Sequence, residues 1–489
     1  MLADLANNPV KNSGMQTAGW AGLRLGAWSS CTAVSSIAGG SPRQTPPAGA
    51  AKPLVRRISM PGPGRAAPLV ESTPSPRNSF MLNILWLAFF LIAAVAALAR
   101  WWLLGDAAVF AGMVDSLFTM AKVSVDLVIL LFGTLTLWMG FLRIAEQAGL
   151  VDWLARVLAP LFARLMPGVP RGHPALGLIT MNFAANGLGL DNAATPIGLR
   201  AMRSLQELNP RPDTATNAQI LFLALNTSSL TVLPVSIFMY RLQQGAAEPA
   251  LVFLPILLAT TTSTLAALLA VAAVQRLRLW DPVVLLWLGG TGLVLGSLIG
   301  GMLSLSAAAL SSLSTLMGNL TLFGLIIVFL VAGAIRRVPV YDAFIEGARD
   351  GFEVSKSLLP YLVAMLCAIG ALRASGALDF LLEGIRLGVQ SLGLDTRFVD
   401  ALPTALTKPF SGSGARAMMI ETMQTYGVDS FPALLAATIQ GGTETTFYVL
   451  AVYFGSVGIQ RSRHAVSCAL IADVAGVLAA ITVCYWFFG

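Results

Sequence analysis

Glu444 has the strongest claim to chemistry in this chain. It stands between Thr443, Thr445 and Thr446 inside an otherwise apolar run. An ionisable group at membrane depth is costly unless paired or wetted, and by default marks a functional position. The neighbouring hydroxyls can donate and accept, so the cluster suits a shared cation, a proton or a polar ligand. The competing role is structural, a polar clasp between helices. Asn226, Thr227, Ser228 and Ser229 form an uncharged counterpart. Four consecutive polar side chains point all round a helix. Either the helix opens there onto a cavity, or the hydroxyls bond back to their own turn.

Two glycine-rich interruptions accompany these clusters. One runs from Asn186 to Pro196 and contains Asn192 and Thr195; the other is Lys408, Pro409, Phe410, Ser411, Gly412, Ser413 and Gly414. Glycine relaxes backbone limits and proline removes a donor. Hairpin tips or broken helices at these places would free amides and carbonyls for a ligand, and a half-helix N-terminus would attract an anion. Ordinary connecting turns are the alternative. Lys408 either neutralises a ligand or pairs with Glu444. Asp126 and Asp473 also lie in apolar stretches, as relay groups or as buried structural carboxylates. His173 and His464 have no second ligand at metal spacing and read as surface histidines. The sequence has no phosphate-binding loop, no dinucleotide fingerprint, no paired metal-ligating histidines and no serine–histidine–aspartate set. The expectation is a protein without enzymatic activity, cofactor or metal.

The elements that must hold these residues are membrane helices. Of 489 residues, 56% are hydrophobic and 11% charged, against about 25% charged in soluble domains. Apolar runs recur at the length needed to cross a bilayer. They are continuous instead of alternating, so they read as helices and not as barrel strands. Spans are expected near 82–99, 124–142, 175–190, 217–239, 251–274, 283–303, 318–335, 358–373, 399–410, 431–456 and 466–488, with amphipathic pieces such as 143–166 lying along the interface or packed as re-entrant segments. Most of the net charge of +7 sits in residues 1–80, so the basic balance does not indicate nucleic-acid binding. That segment also holds ten of the 26 prolines and is too poor in apolar runs to fold. It reads as a disordered basic extension: a tail, a targeting leader or an upstream addition foreign to the natural protein. The four cysteines suggest neither a disulfide framework nor a zinc site.

Residues 283–335 carry no acidic or basic side chain, yet Arg276, Arg278, Arg336 and Arg337 bracket them. Two spans joined by a serine-rich turn at Ser304–Ser314 would put both feet in the cytoplasm. This hairpin separates halves that look related. Gln147–Leu154 aligns with Ala374–Leu381, sharing glycine, aspartate and leucine in register, and Asn226–Leu233 aligns with Thr443–Leu450. An interruption precedes the second motif in each half. Paired breaks of this kind point to the site of a transporter.

At these residues the chain resembles a known family. Residues 81–280 are similar to spore maturation protein A through Ile144–Leu150, His173–Gly177, Asn192–Pro196 and Leu223–Thr231. Residues 318–489 are similar to spore maturation protein B through Val338–Tyr341, Pro360–Val363, Ser375–Asp379, Lys408–Gly412 and Gly442–Leu450. The resemblance implies a natural fusion, with 281–317 as an added span and connector. It also implies membership of the nucleoside-recognition or gate-domain group, which includes parts of concentrative nucleoside transporters and ferrous-iron transporters. The family's named role is in spore-core dehydration; the resemblance names no solute. One departure is Lys408-Pro409, where the B-type pattern has Arg-Pro, so the charge remains but a bidentate donor fork is lost.

The expectation is therefore an all-α polytopic membrane protein with two gate-type repeats of inverted topology in a bacterial cytoplasmic membrane. Asn186, Asn192, Thr195, Pro196, Asn226–Ser229, Lys408, Ser411–Gly414 and Thr443–Thr446 would surround one polar site. Its partners would be the lipid bilayer and a small polar solute or ion, with self-association open and nucleic acid excluded. A non-transporting envelope scaffold and a gate driven by a separate energising partner are the alternatives.

Overall fold

In the computed structural model, residues 76–188, 191–228 and 230–489 are described, with side chains at all of these except 76–82, 85, 130 and 191–193. Most of the 1–80 extension therefore lies outside the described residues. The helix that follows, α1 (Pro76–Leu104), begins just before the expected boundary.

Two runs of seven helices then follow one another in matching order. The first is α2 (Ala108–Gln147), α3 (Leu150–Leu165), α4 (Pro174–Gly187), α5 (Asp191–Glu207), α6 (Asn217–Ser228), α7 (Val235–Gln243) and α8 (Phe253–Gln275). A hairpin, α9 (Pro282–Met302) and α10 (Ala307–Ile335), separates it from the second. That second run is α11 (Val340–Ala374), α12 (Ala377–Ser391), α13 (Leu402–Thr407), α14 (Gly412–Tyr426), α15 (Phe431–Gly442), α16 (Thr446–Gly455) and α17 (Ala465–Phe488). The aligned glycines have one structural role. Gly149 (φ 75°) and Gly376 (φ 82°) take the left-handed conformation that ends a long helix and starts an amphipathic one. The aligned Asp152 and Asp379 lie in the first turn that follows, where a carboxylate complements the helix dipole.

Equivalent long helices pack against each other in opposite directions. Near the end of α2, Arg143 pairs with Glu346 near the start of α11. Near the start of α2, Leu117 O accepts from Cys367 Sγ near the end of α11 at 3.4 Å. In α8 and α17, Gln275 meets His464 at 3.0 Å at one end, and Ser263 Oγ donates to Ala472 O at 3.0 Å further in. Antiparallel packing of repeat-equivalent helices makes the repeat inverted. The result is an all-α polytopic membrane protein. Among the described residues, seven helices are long and apolar enough to cross a bilayer: those centred on α1, α2, α8, α9, α10, α11 and α17.

Several expected spans are corrected. The 217–239 and 431–456 runs are each broken into two half-length helices, α6/α7 and α15/α16. The 399–410 run is a 3-10 turn (Val399–Ala401) followed by α13. The serine-rich turn is shorter than expected. Ser306 caps α10 by accepting from Ala309 N, and Ser312 bonds back to Ala308 O inside the helix. Helix α10 consequently runs through position 318, where the added connector was expected to end.

Both histidines are half-buried and structural. His173 caps α4 by accepting from Ala175 N at 3.3 Å. Burial, reinforced by the neighbouring positive charge of Arg463, holds the His464 imidazole below its ordinary value of 6.5. The folded state thus favours neutral His464, and the unfolded chain takes up the proton first on acidification. Its stabilising contribution is complete above the unfolded value and is lost as pH falls through the folded one. The melting temperature of the purified protein is expected to fall between about pH 7.5 and 5, and His464→Gln to flatten that slope. An unchanged slope in the variant would assign the pH dependence elsewhere.

Candidate functional site

The two broken helices touch at their breaks. Helix α6 stops at Ser228 and regular helix resumes only at Val235. Helix α15 stops at Gly442; Thr443 (φ −147°, ψ 167°) and Thr445 (φ −83°, ψ 96°) are extended before α16 begins. Unwinding frees backbone groups that must find partners away from water. Glu444 N–H finds its partner across the repeats, donating to Thr227 O at 2.9 Å, and Phe447 N–H finds one within its own repeat, donating to Pro409 O at 2.9 Å. Thr231 N–H donates to Thr260 Oγ1 of α8 at 3.2 Å. The glycine-rich interruptions close in on the same place. Asn186, near the end of α4, donates from Nδ2 to Asn226 Oδ1 at 3.0 Å, and the Lys408 ammonium donates to Gln440 O at 2.8 Å.

A cavity of about 350 Å³ lies at this junction. Its walls include Asn186, Thr195 and Asn226 from the first repeat and Lys408, Gly412, Thr443 and Glu444 from the second. The remaining expected residues sit differently. Thr227 and Ser228 bond back to Ala224 O (3.0 Å) and Leu225 O (3.2 Å), so of that cluster Asn226 faces the cavity and these two do not. Ser229 lies outside the described residues, and for Asn192 only its place in the first turn of α5 is described. Pro196 is inside α5 and does not break it. Ser411 caps α14, accepting from Gly414 N at 3.0 Å and sharing a 3.2 Å hydrogen bond with Ser413. Thr445 packs against Gly412 so closely that a methyl group there would lie 2.7 Å from its hydroxyl. Thr446 donates to Asp473 Oδ2 at 2.7 Å behind the cavity wall.

The sequence reading missed several wall residues. Gln440 lies one turn before Thr443 on α15, and Arg416 one turn after Gly412 on α14. Arg416, four residues after Gly412, shares its face of α14, a signal available in the sequence; Thr443 is extended, so no such periodicity marks Gln440. The Arg416 guanidinium lies over the Tyr240 ring at 5.4 Å, and Trp138, Tyr448 and Tyr453 add aromatic surface. Among the described side chains, the walls therefore carry two cations, Lys408 and Arg416, against one carboxylate, Glu444. Gln440 Oε1 is buried and has no hydrogen-bond partner among the described residues. Asp126 and Asp473, both expected in apolar stretches, differ. Asp473 is 5% exposed, whereas Asp126 is on an exposed face of α2 and outside the helix-packed core.

Comparison with known proteins accords with this two-fold construction. The Gate family, described as nucleoside recognition, matches residues 128–242 and 355–460, one segment in each repeat. Spore maturation protein B of Bacillus subtilis (strain 168) is 42% identical over 160 residues, which is 33% of this chain and 88% of that protein. Spore maturation protein A of the same organism is 36% identical over 190 residues, 39% of this chain and 93% of that protein. The two relatives match different parts of the sequence. The chain accordingly belongs to the spore maturation protein A and B family, with an A-type and a B-type sequence joined in one polypeptide.

Proposed function

We propose that the protein carries or gates a small polar solute across the bacterial cytoplasmic membrane, binding it in the cavity between the two helix breaks. The observation that carries this reading is the convergence of both breaks, one from each inverted repeat, on a single polar cavity. Alternating access needs this arrangement: a fixed site at the repeat interface, exposed to either side as one repeat rocks against the other. The excess of Lys408 and Arg416 over Glu444, with the N-terminus of α14 at Gly412, favours a solute bearing an anionic group. The amides of Asn186, Asn226 and Gln440 would bind its neutral polar groups. Glu444 would balance a cationic portion or exchange a proton or sodium ion. The nucleoside-recognition description of the matching family supports solute recognition. A scaffold would need no such cavity.

Thermal-shift screening of the purified protein against small polar compounds should first identify a ligand, since binding raises the melting temperature by mass action. In reconstituted vesicles, Glu444→Gln is then expected to lower flux of that ligand by about tenfold or more, equivalent to about 1.4 kcal/mol of lost binding or coupling. A folded variant with unaltered flux across a broad solute panel would show the assigned site to be wrong.

A further inference from the structure

A second cavity, of about 640 Å³, lies at the end of the molecule where α8 finishes and α9 starts. Arg164 and Arg171 reach it from the end of α3 and the loop after it, Arg276 and Arg278 from the α8–α9 connection. One acidic residue, Asp281, is present in its lining. That carboxylate is already engaged: Oδ2 pairs with Arg164 at 3.3 Å, and Oδ1 caps α9 by accepting from Val283 N at 2.9 Å. Among the described residues, no salt bridge reaches Arg171, Arg276 or Arg278.

The depth of this cavity is set by its neighbours. Helix α8 is a spanning helix that ends at Gln275 and α9 one that begins at Pro282, so the residues between them lie at the bilayer boundary. Trp280 is 86% exposed beside Arg278, and tryptophan at a helix end anchors at headgroup level. The cavity also has an apolar side, with Met166, Val169 and Leu205 nearly fully buried along it. Arg276 holds a left-handed backbone (φ 53°) as the cap of α8, a conformation disfavoured for a residue with a Cβ. A basic pocket between membrane helices beside an apolar wall has the chemistry of a phosphate site at a lipid surface.

We infer that this cavity binds a phosphate-bearing anion at the membrane boundary, with Arg171, Arg276 and Arg278 holding the phosphate oxygens. The apolar wall favours an anionic phospholipid, its phosphate at the arginine rim and the start of its acyl chains on the half-buried Leu208 and Leu277. The site is separate from the cavity between the helix breaks. It makes the protein responsive to the charge of the surrounding lipid whatever solute is carried.

The test uses the full-length protein purified in a neutral detergent. Phosphatidylglycerol, phosphatidylcholine and inorganic phosphate are titrated in turn, with melting temperature and native mass spectrometry as readouts. Phosphatidylglycerol is expected to raise the melting temperature and remain bound where phosphatidylcholine does not. Arg276→Gly removes the charge while suiting the left-handed backbone, so it should fold at least as well as the parent and bind the lipid about fivefold more weakly. The double variant Arg171→Gln/Arg278→Gln should lose binding further. A shift with inorganic phosphate alone, sensitive to the same variants, would keep the phosphate site and assign it to a soluble ligand. Binding of either probe that is indifferent to these substitutions, or no binding at all, would overturn the proposal.

Discussion

Replacing Arg241 with methionine is expected to destabilise the detergent-solubilised protein by about 3 kcal/mol or more, because several carbonyls lose their charged donor at once. The side chain has no exposed surface. It sits near the end of α7 and gathers partners from both repeats. Nε donates to Pro249 O (3.2 Å), Nη1 to Val428 O (3.1 Å), and Nη2 to Glu248 O (3.3 Å) and to Asp429 Oδ1 (2.8 Å). Removing it leaves carbonyls on two connections without their donors, and buried unsatisfied acceptors keep the full desolvation penalty. Methionine has a similar span and no donor, so the loss comes from hydrogen bonding and charge more than from volume. Arg241→Lys keeps the charge but not the planar fork that reaches several acceptors at once, and should fall between the two. Asp429→Asn should cost less, because Arg241 keeps its three carbonyl acceptors and the charge removed is 48% exposed. Thermal unfolding of the three variants in one detergent separates these cases. Equal melting temperatures for Arg241→Met and the parent would mean that the connections are not held by this residue.

Arg241 also shows where reading the sequence stops. An arginine at the edge of an apolar run has the appearance of an interfacial anchor. Its burial depends on Val428 and Asp429, 187 and 188 residues away, and local pattern contains nothing about them. The inverted repeat, by contrast, was legible because its markers are local. Gly149 and Gly376 are needed wherever a helix must end left-handed, and the polar clusters at Asn226 and Thr443 interrupt apolar runs where the helices do break. The convergence of those breaks could be expected from their pairing, but the division of labour within each cluster could not. Asn226 faces the cavity while Thr227 and Ser228 turn back to their own helix, a choice made by tertiary packing. Hydropathy also understated helix length. The runs at 124–142 and 358–373 end near charged residues, yet α2 and α11 continue well beyond them because each gives the other's polar residues a partner. Arg143 pairs with both Glu146 and Glu346, and Gln147 Nε2 donates to Glu346 Oε2 at 2.8 Å.

That long antiparallel pair underlies the second prediction. Gly351→Ala is expected to cost up to about 3 kcal/mol, the upper part of the range for overpacking, and Gly351→Val to prevent recovery of folded protein. Gly347 and Gly351 lie one turn apart on α11 and face the backbone of α2, a small-xxx-small pattern that permits close helix approach in membranes. A methyl group at Gly351 would lie 2.7 Å from Leu135 O and 2.8 Å from Thr136 Cα, and one at Gly347 would strike Met139 O. These obstacles are main chain and cannot rotate away. To admit the methyl the helices must separate, which would disturb the Phe132–Phe352 stack (centroids 4.6 Å apart) and the Ser355 hydrogen bond to Leu131 O (3.4 Å). Gly140 gives the control. The atoms nearest to a methyl there belong to the Phe344 ring, a side chain and not main chain, so Gly140→Ala with Phe344→Leu should recover much of the loss. No rescue of that kind is expected at Gly351. The separation would also reach the cavity between the helix breaks, whose wall includes Leu135 and Val354 on these same two helices. If Gly351→Ala melts with the parent, α2 and α11 are not in contact along this face, and the pairing that makes the repeat inverted would be lost with it.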